Sequence, residues 1–296
     1  WAEAAPGSDD PYRELGRALL GRRDRQGARR AYLEGRERLG RPEALAAELA
    51  ELMTLEGRYT DAAREWALAT RTMEGYRHTA ASALASAPPA QRGAILRILQ
   101  ESGGEAASAG AMLAARWGDP VGGYRMLEAA LPEEDARASV RLREFLEQVT
   151  PAESPAAWHA QALALEALAG RVSAAQAPRI RSDAARAYAE AGRPDDARRM
   201  LGDLAGDASA PRSLQSGAAT TLVGLLVDEG KLDEAEARLA DLEPASRTEQ
   251  AVLTRRVAYR VAAGTADEAH TVVLTFTREA AGELRRRLPR LGLQGR

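Results

Sequence analysis

Three histidines, one serine among small residues and two runs of carboxylates are the side chains of this 296-residue sequence that could move a proton or hold a metal. His78, His159 and His270 lie far apart in the chain. None has the i+4 histidine or acidic neighbour of a helical zinc motif, so each reads as an ordinary surface or groove histidine. Ser108 sits in Ala106-Ala107-Ser108-Ala109-Gly110. A nucleophile elbow needs a strand before it, and this alanine-rich run reads as helix. The carboxylates Glu133-Glu134-Asp135 and Asp195-Asp196 fall at expected helix starts, where the helix dipole favours negative charge. Lys231 is the only lysine, and no G-x-x-x-x-G-K-[ST] phosphate loop surrounds it. Cysteine is absent, which removes disulfides and thiolate metal sites. The expectation is a non-enzymatic chain with no cofactor and no metal.

Arginine carries nearly all the positive charge. Arg22-Arg23-Arg25-Arg29-Arg30 and Arg285-Arg286-Arg287-Arg290 are the two basic clusters. The first is interrupted by Asp24 and followed by Glu34 and Glu37, and the second closes a helix, where cations are expected. Both read as solvated faces. With 41 basic against 43 acidic residues the net charge is −2, which offers no global attraction to nucleic acid or an anionic membrane.

The elements that would carry these residues are helices. Aromatics are 4% of the chain while apolar residues are 45%, mostly Ala and Leu, a composition for closely packed helices and not for a β core. Ala184, Ala187, Tyr188 and Ala191 recur at i, i+3, i+4 and i+7, and Ala197, Met200, Leu201 and Leu204 repeat that spacing after Gly192. Gly192 supplies a residue free to take positive φ, and Pro194 opens the next helix. The same order returns at Gly230 and Ala235. Two antiparallel helices joined by a tight turn, with an apolar face left for a neighbouring pair, is the unit this predicts.

That unit resembles the tetratricopeptide repeat family. The best match is Leu49, Ala50, Gly57, Tyr59, Ala62, Trp66 and Ala69. Weaker copies read Ala185, Gly192, Ala197, Leu201; Gly230, Leu232, Ala235, Leu239; and Gly264, Ala266, Ala269, with a divergent one at Ala111, Gly118, Gly123, Leu127. The Gly192–Gly230 and Gly230–Gly264 spacings are near the family's period of about 34 residues. The motif's opening Trp is missing, and its closing Pro is absent or shifted, as at Pro244. The resemblance implies an all-α fold of antiparallel helix pairs stacked into a right-handed superhelix, an α-solenoid, whose first helices line a groove for an extended peptide or partner helix. It also implies that Arg181, Arg186, Arg255, Arg256 and Arg260, on the first-helix side, face acidic groups of a ligand. Asn is absent, so the Lys/Asn carboxylate clamp of chaperone-binding members has no counterpart.

Along the chain, residues 1–10 read as a flexible leader, 11–150 as an N-terminal helical array, 151–264 as the clearer repeats and 265–296 as an irregular segment. Gly21 and Gly27 mark the first turn, Pro42 opens a helix, and Pro88-Pro89 is a break. The prolines of Thr150–Pro155 make either an irregular turn or a boundary between sub-arrays. Thr271–Thr277 is β-branched and reads as a strand or as part of a capping helix. Val272–Leu288 resembles a strand-to-helix motif of superfamily 1 DNA helicases, but without a phosphate loop it implies no ATPase. No apolar run reaches the roughly 18 residues of a membrane span.

A protein-interaction scaffold taking a peptide or protein partner is the first functional expectation. Self-assembly into a filament or homopolymer through Thr271–Thr277 is the alternative. The start at Trp1, followed by Ala2-Glu3-Ala4, tilts the expected location toward the cell envelope or outside.

Overall fold

The computed structural model describes residues 7–150, 153–241, 255–256, 259–260 and 262–264, and divides into two compact units, Trp1–Val172 and Ser173–Arg296. The division falls past the Thr150–Pro155 stretch. The chain is all-α: among the described residues there are fourteen helices and no strand. The Thr271–Thr277 strand, the Arg285–Arg290 cluster, His270 and Ala269 lie outside the described residues, as do the first six residues of the expected leader.

The first unit holds α1 (Asp10–Gly21), α2 (Arg25–Leu39), α3 (Ala46–Leu55), α4 (Tyr59–Ala69), α5 (Tyr76–Leu84), α6 (Pro89–Ser102), α7 (Gly104–Arg116), α8 (Pro120–Glu128), α9 (Asp135–Val149) and α10 (Pro155–Ala169). Consecutive helices pair as α1 with α2, α3 with α4, α7 with α8 and α9 with α10. Between pairs, α5 packs on both α3 and α7, and α7 on α9, while α4 packs on α6 and α8 on α10. The odd-numbered helices α3, α5, α7 and α9 thus meet in succession, while α6 packs on α7 and on α4 and forms no pair with α5. The second unit repeats this with α11 (Ala177–Glu190), α12 (Pro194–Gly206), α13 (Arg212–Asp228) and α14 (Leu232–Asp241), where α11 packs on α12 and on α13.

Five turns between paired helices share one hydrogen-bond pattern. The amide after the turn residue reaches a carbonyl five positions back: Arg58 to Met53 at 2.9 Å, Asp119 to Ala114 at 2.9 Å, Arg193 to Tyr188 at 2.9 Å and Lys231 to Leu226 at 2.8 Å. This closure satisfies the last carbonyls of the first helix and requires left-handed backbone at the turn residue, which is Gly57, Gly118, Gly192 and Gly230 in these four. The fifth turn, α1 to α2, makes the same bond from Asp24 to Leu19 at 2.9 Å. Its turn residue is Arg23, at φ +64°, within the turn that Gly21 and Gly27 bracket. An L-residue there costs about 1–2 kcal/mol. Arg23→Gly is therefore expected to raise the midpoint of denaturant unfolding, and an unchanged or lowered midpoint would refute the strain.

Leu49, Ala50, Ala62 and Trp66 are fully buried and Ala69 nearly so, which is why that repeat is the easiest to read. Ala197 and Ala235 are fully buried in the corresponding places, and Gly264 is left-handed at φ +65°. The divergent copy has a packing reason: a Cβ added at Gly123 would lie 2.7 Å from the Ala111 carbonyl oxygen, so only glycine lets α8 approach α7 that closely. The α1–α2 pair interlocks reciprocally. Tyr32 fills the space above Gly16, where an added Cβ would come within 2.0 Å of the ring, and Tyr12 does the same over Gly35 at 2.5 Å. Gly16→Ala is expected to destabilise by about 1–3 kcal/mol through overpacking, whereas Gly21→Ala, which meets open space, should be nearly silent. Equal effects of the two in thermal denaturation would contradict this packing.

Some boundaries shift. Residues 42–45 form a turn ending in Leu45, buried at 2% with φ +57°, so α3 begins at Ala46 and not at Pro42.

Candidate functional site

The packing of α7 on both α5 and α9 brings the N-terminal parts of α5 and α7 to the middle of α9, and a charged cluster forms there. Arg77 of α5 follows the helical spacing of the buried Ala80, Ala81 and Leu84, so its side chain is carried inward with the apolar stripe and is only 6% exposed. Arg141 of α9 lies on the stripe of Ala138 and Phe145 and is 4% exposed. A buried guanidinium must be ion-paired to be tolerated. Arg77 grips Glu144 with two nitrogens, at 3.1 and 2.6 Å, and places a third at 3.3 Å from Glu105 of α7 and 2.8 Å from the Glu74 carbonyl. Arg141 donates to Glu105 at 2.6 Å and to Glu74 at 3.0 Å. Arg137 also pairs with Glu74, and His78 stands 3.6 Å from Glu144.

The electrostatics follow from this geometry. The hydrogen bond from Arg141, with the Arg137 charge behind it, holds the Glu74 carboxyl below its ordinary value near 4.5. Burial alone would lower the Arg141 pKa, but its hydrogen bond and charge interaction with Glu105 outweigh that and the net shift is upward. Each carboxylate of the cluster is held by arginine, so the arrangement ties three helices together and presents no free proton acceptor. Because the folded Glu74 pKa lies below the unfolded one, its stabilisation is present above about 4.5 and lost as pH falls through the lowered value. Glu74→Gln should therefore lose stability less steeply than the parent chain in acid titrations of folding. Parallel acid-unfolding curves would contradict the linkage.

Beside the cluster a cleft of about 400 Å³ opens, lined by Ala67, Thr70, Arg71, Met73 and the Gly103-Gly104 pair that starts α7. Both glycines have positive φ, and α7 has no side-chain cap. Arg71 is exposed and makes no ion pair among the described residues, and Met73 is 53% exposed. A second cleft of about 380 Å³ lies between α6, α7 and α8, with Leu96 and Met126 on its wall and Arg97 and Arg125 at its rim.

The arginines named from sequence fall in the second unit. Arg181 on α11 pairs with Asp207 at 2.9 Å, and Arg186, on the same helix and well exposed, lies 3.4 Å from Asp183. Arg255 packs its guanidinium on Gly224 of α13, where an added Cβ would lie 2.5 Å from Cζ. Arg256 is half-buried and Arg260 exposed. Sequence reasoning missed Arg77 and Arg141. Their signal was an arginine inside an apolar stripe, at the place of a core residue.

Ser108 lies within α7, buried, with its hydroxyl donating to the Gly104 carbonyl at 3.2 Å. Asp195 and Asp196 stand in the first turn of α12 and Asp135 in that of α9. Among the described residues no group of three or more His, Cys, Asp or Glu could hold a metal, and no helix is long and apolar enough to cross a membrane. No family model matches the chain, and no curated protein matches it significantly.

Proposed function

We propose that this chain is a protein-interaction scaffold of tetratricopeptide-like helix pairs arranged as a right-handed superhelix, which receives a peptide or helix of a partner on the layer of first helices. The observation that supports it best is the stacking of α3, α5, α7 and α9 on one another, with an open cleft beside them. Odd-on-odd stacking is what a repeat array needs to build one continuous face from many short helices. The cluster of Arg77, Arg141, Glu74, Glu105 and Glu144 fixes the spacing of α5, α7 and α9, so the face is held before a partner arrives and less ordering cost falls on binding. In the second unit, taken by itself, Arg181, Arg186, Arg255, Arg256 and Arg260 are proposed as contacts to acidic groups of a ligand.

A photo-crosslinking residue placed at Met73, in the first cleft, is expected to trap a defined partner in the native host, whereas one at Arg64, on α4, should not. Equal capture at both positions, or none at Met73, would overturn the assignment of the face. The filament reading draws on Thr271–Thr277, outside the described residues, and its outcome is a self-crosslink at that site.

A further inference from the structure

Two non-glycine residues among those described hold left-handed backbone, Arg23 and Leu45. They differ in what offsets the strain. Leu45 is buried at 2% in the cluster of Tyr12, Tyr32 and Leu49, so its side chain returns packing energy to the fold. Arg23 is exposed, and its side chain has no ion pair or hydrogen bond among the described residues. The four sister turns carry glycine at this place. Strain kept without return inside the fold marks a side chain that acts on something else.

Arg23 does not stand alone. Arg22, Arg25 and Arg30 are exposed on the same turn and the start of α2, and none has an ion pair among the described residues. The acid within the segment, Asp24, is turned onto the Gly27 amide at 2.8 Å as the cap of α2. Glu56, at the end of α3, is already shared by Arg29 and Arg58, and Glu34, four residues on from Arg30 on α2, pairs with Arg38. Two guanidinium groups on the turn, Arg22 and Arg23, and two on the first turns of α2, Arg25 and Arg30, are thus left exposed, on a chain whose net charge is −2.

We propose that the α1–α2 turn, through Arg22, Arg23, Arg25 and Arg30, is a docking surface for a short acidic peptide segment of a partner protein. Arginine suits carboxylates because its planar fork donates two parallel hydrogen bonds to one of them. The patch is short and the rest of the chain is slightly acidic, which favours a brief run of Asp or Glu over the extended phosphate track from which nucleic-acid affinity is built. This surface is separate from the first-helix face, and either can fail without the other.

The test uses the full chain with fluorescein-labelled hexaglutamate, read by anisotropy at low ionic strength, beside an oligothymidylate of equal charge. The expected result is saturable hexaglutamate binding, weakened about tenfold in Arg23→Gly and in Arg22→Ala/Arg25→Ala but unchanged in Arg116→Ala. Arg23→Gly is informative because it should fold more stably while binding less. Absence of saturable binding, an affinity in those variants equal to that of the parent chain, or tighter binding of the oligothymidylate lost in those variants would overturn the proposal.

Discussion

Trp66→Ala is expected to destabilise the first unit by about 3–5 kcal/mol, the cost of removing a fully buried aromatic and leaving a cavity. Trp66 is the largest of the fully buried side chains. It sits where α4 meets α5 and packs its ring 6.1 Å from that of Tyr76. The stability of a typical domain is only about 5–15 kcal/mol, so the loss should be visible as a large drop in the denaturant midpoint followed by far-UV circular dichroism. Trp66→Phe should cost clearly less. The indole nitrogen is buried without a hydrogen-bond partner, so phenylalanine gives up volume but no hydrogen bond. A Trp66→Ala loss no greater than that of Trp66→Phe would mean the site collapses freely around the gap.

Arg141→Ala is the second large effect, about 3 kcal/mol, because truncation takes a buried guanidinium out of the core stripe and leaves the part-buried Glu105 with only the longer 3.3 Å contact to Arg77. Burial of this kind is costly even when intact, as the Arg141 Nε shows by lacking a partner. Arg141→Met, which fills the space without charge, should therefore recover part of the loss once Glu105 is also neutralised. A double-mutant cycle with Glu105→Ala should give a coupling on the order of 1–3 kcal/mol. Additive losses would show that the guanidinium serves packing alone.

Much of the fold is legible from residue order because its repeating parts are local. The spacing Gly57, Ala62, Trp66 is compact enough to read within a few residues: Gly57 is left-handed at φ +74°, and Ala62 and Trp66 are fully buried. Two kinds of information were not local. Left-handed backbone at Arg23 follows from the turn closing onto Leu19, and a non-glycine residue carries no mark of it. The pairing of Arg77 with Glu144 and of Arg141 with Glu74 joins residues 67 positions apart, so it depends on α5 and α9 both packing on α7. Arg255 also meets Gly224 of α13, a contact set by helix packing that no spacing rule conveys.

The most direct measurement is the mass of the purified chain in solution by light scattering, with the same sample viewed by electron microscopy. The scaffold account predicts a monomer near 31.7 kDa with its first-helix face open to another protein. Long polymers of the chain alone would contradict it and make the chain its own principal partner.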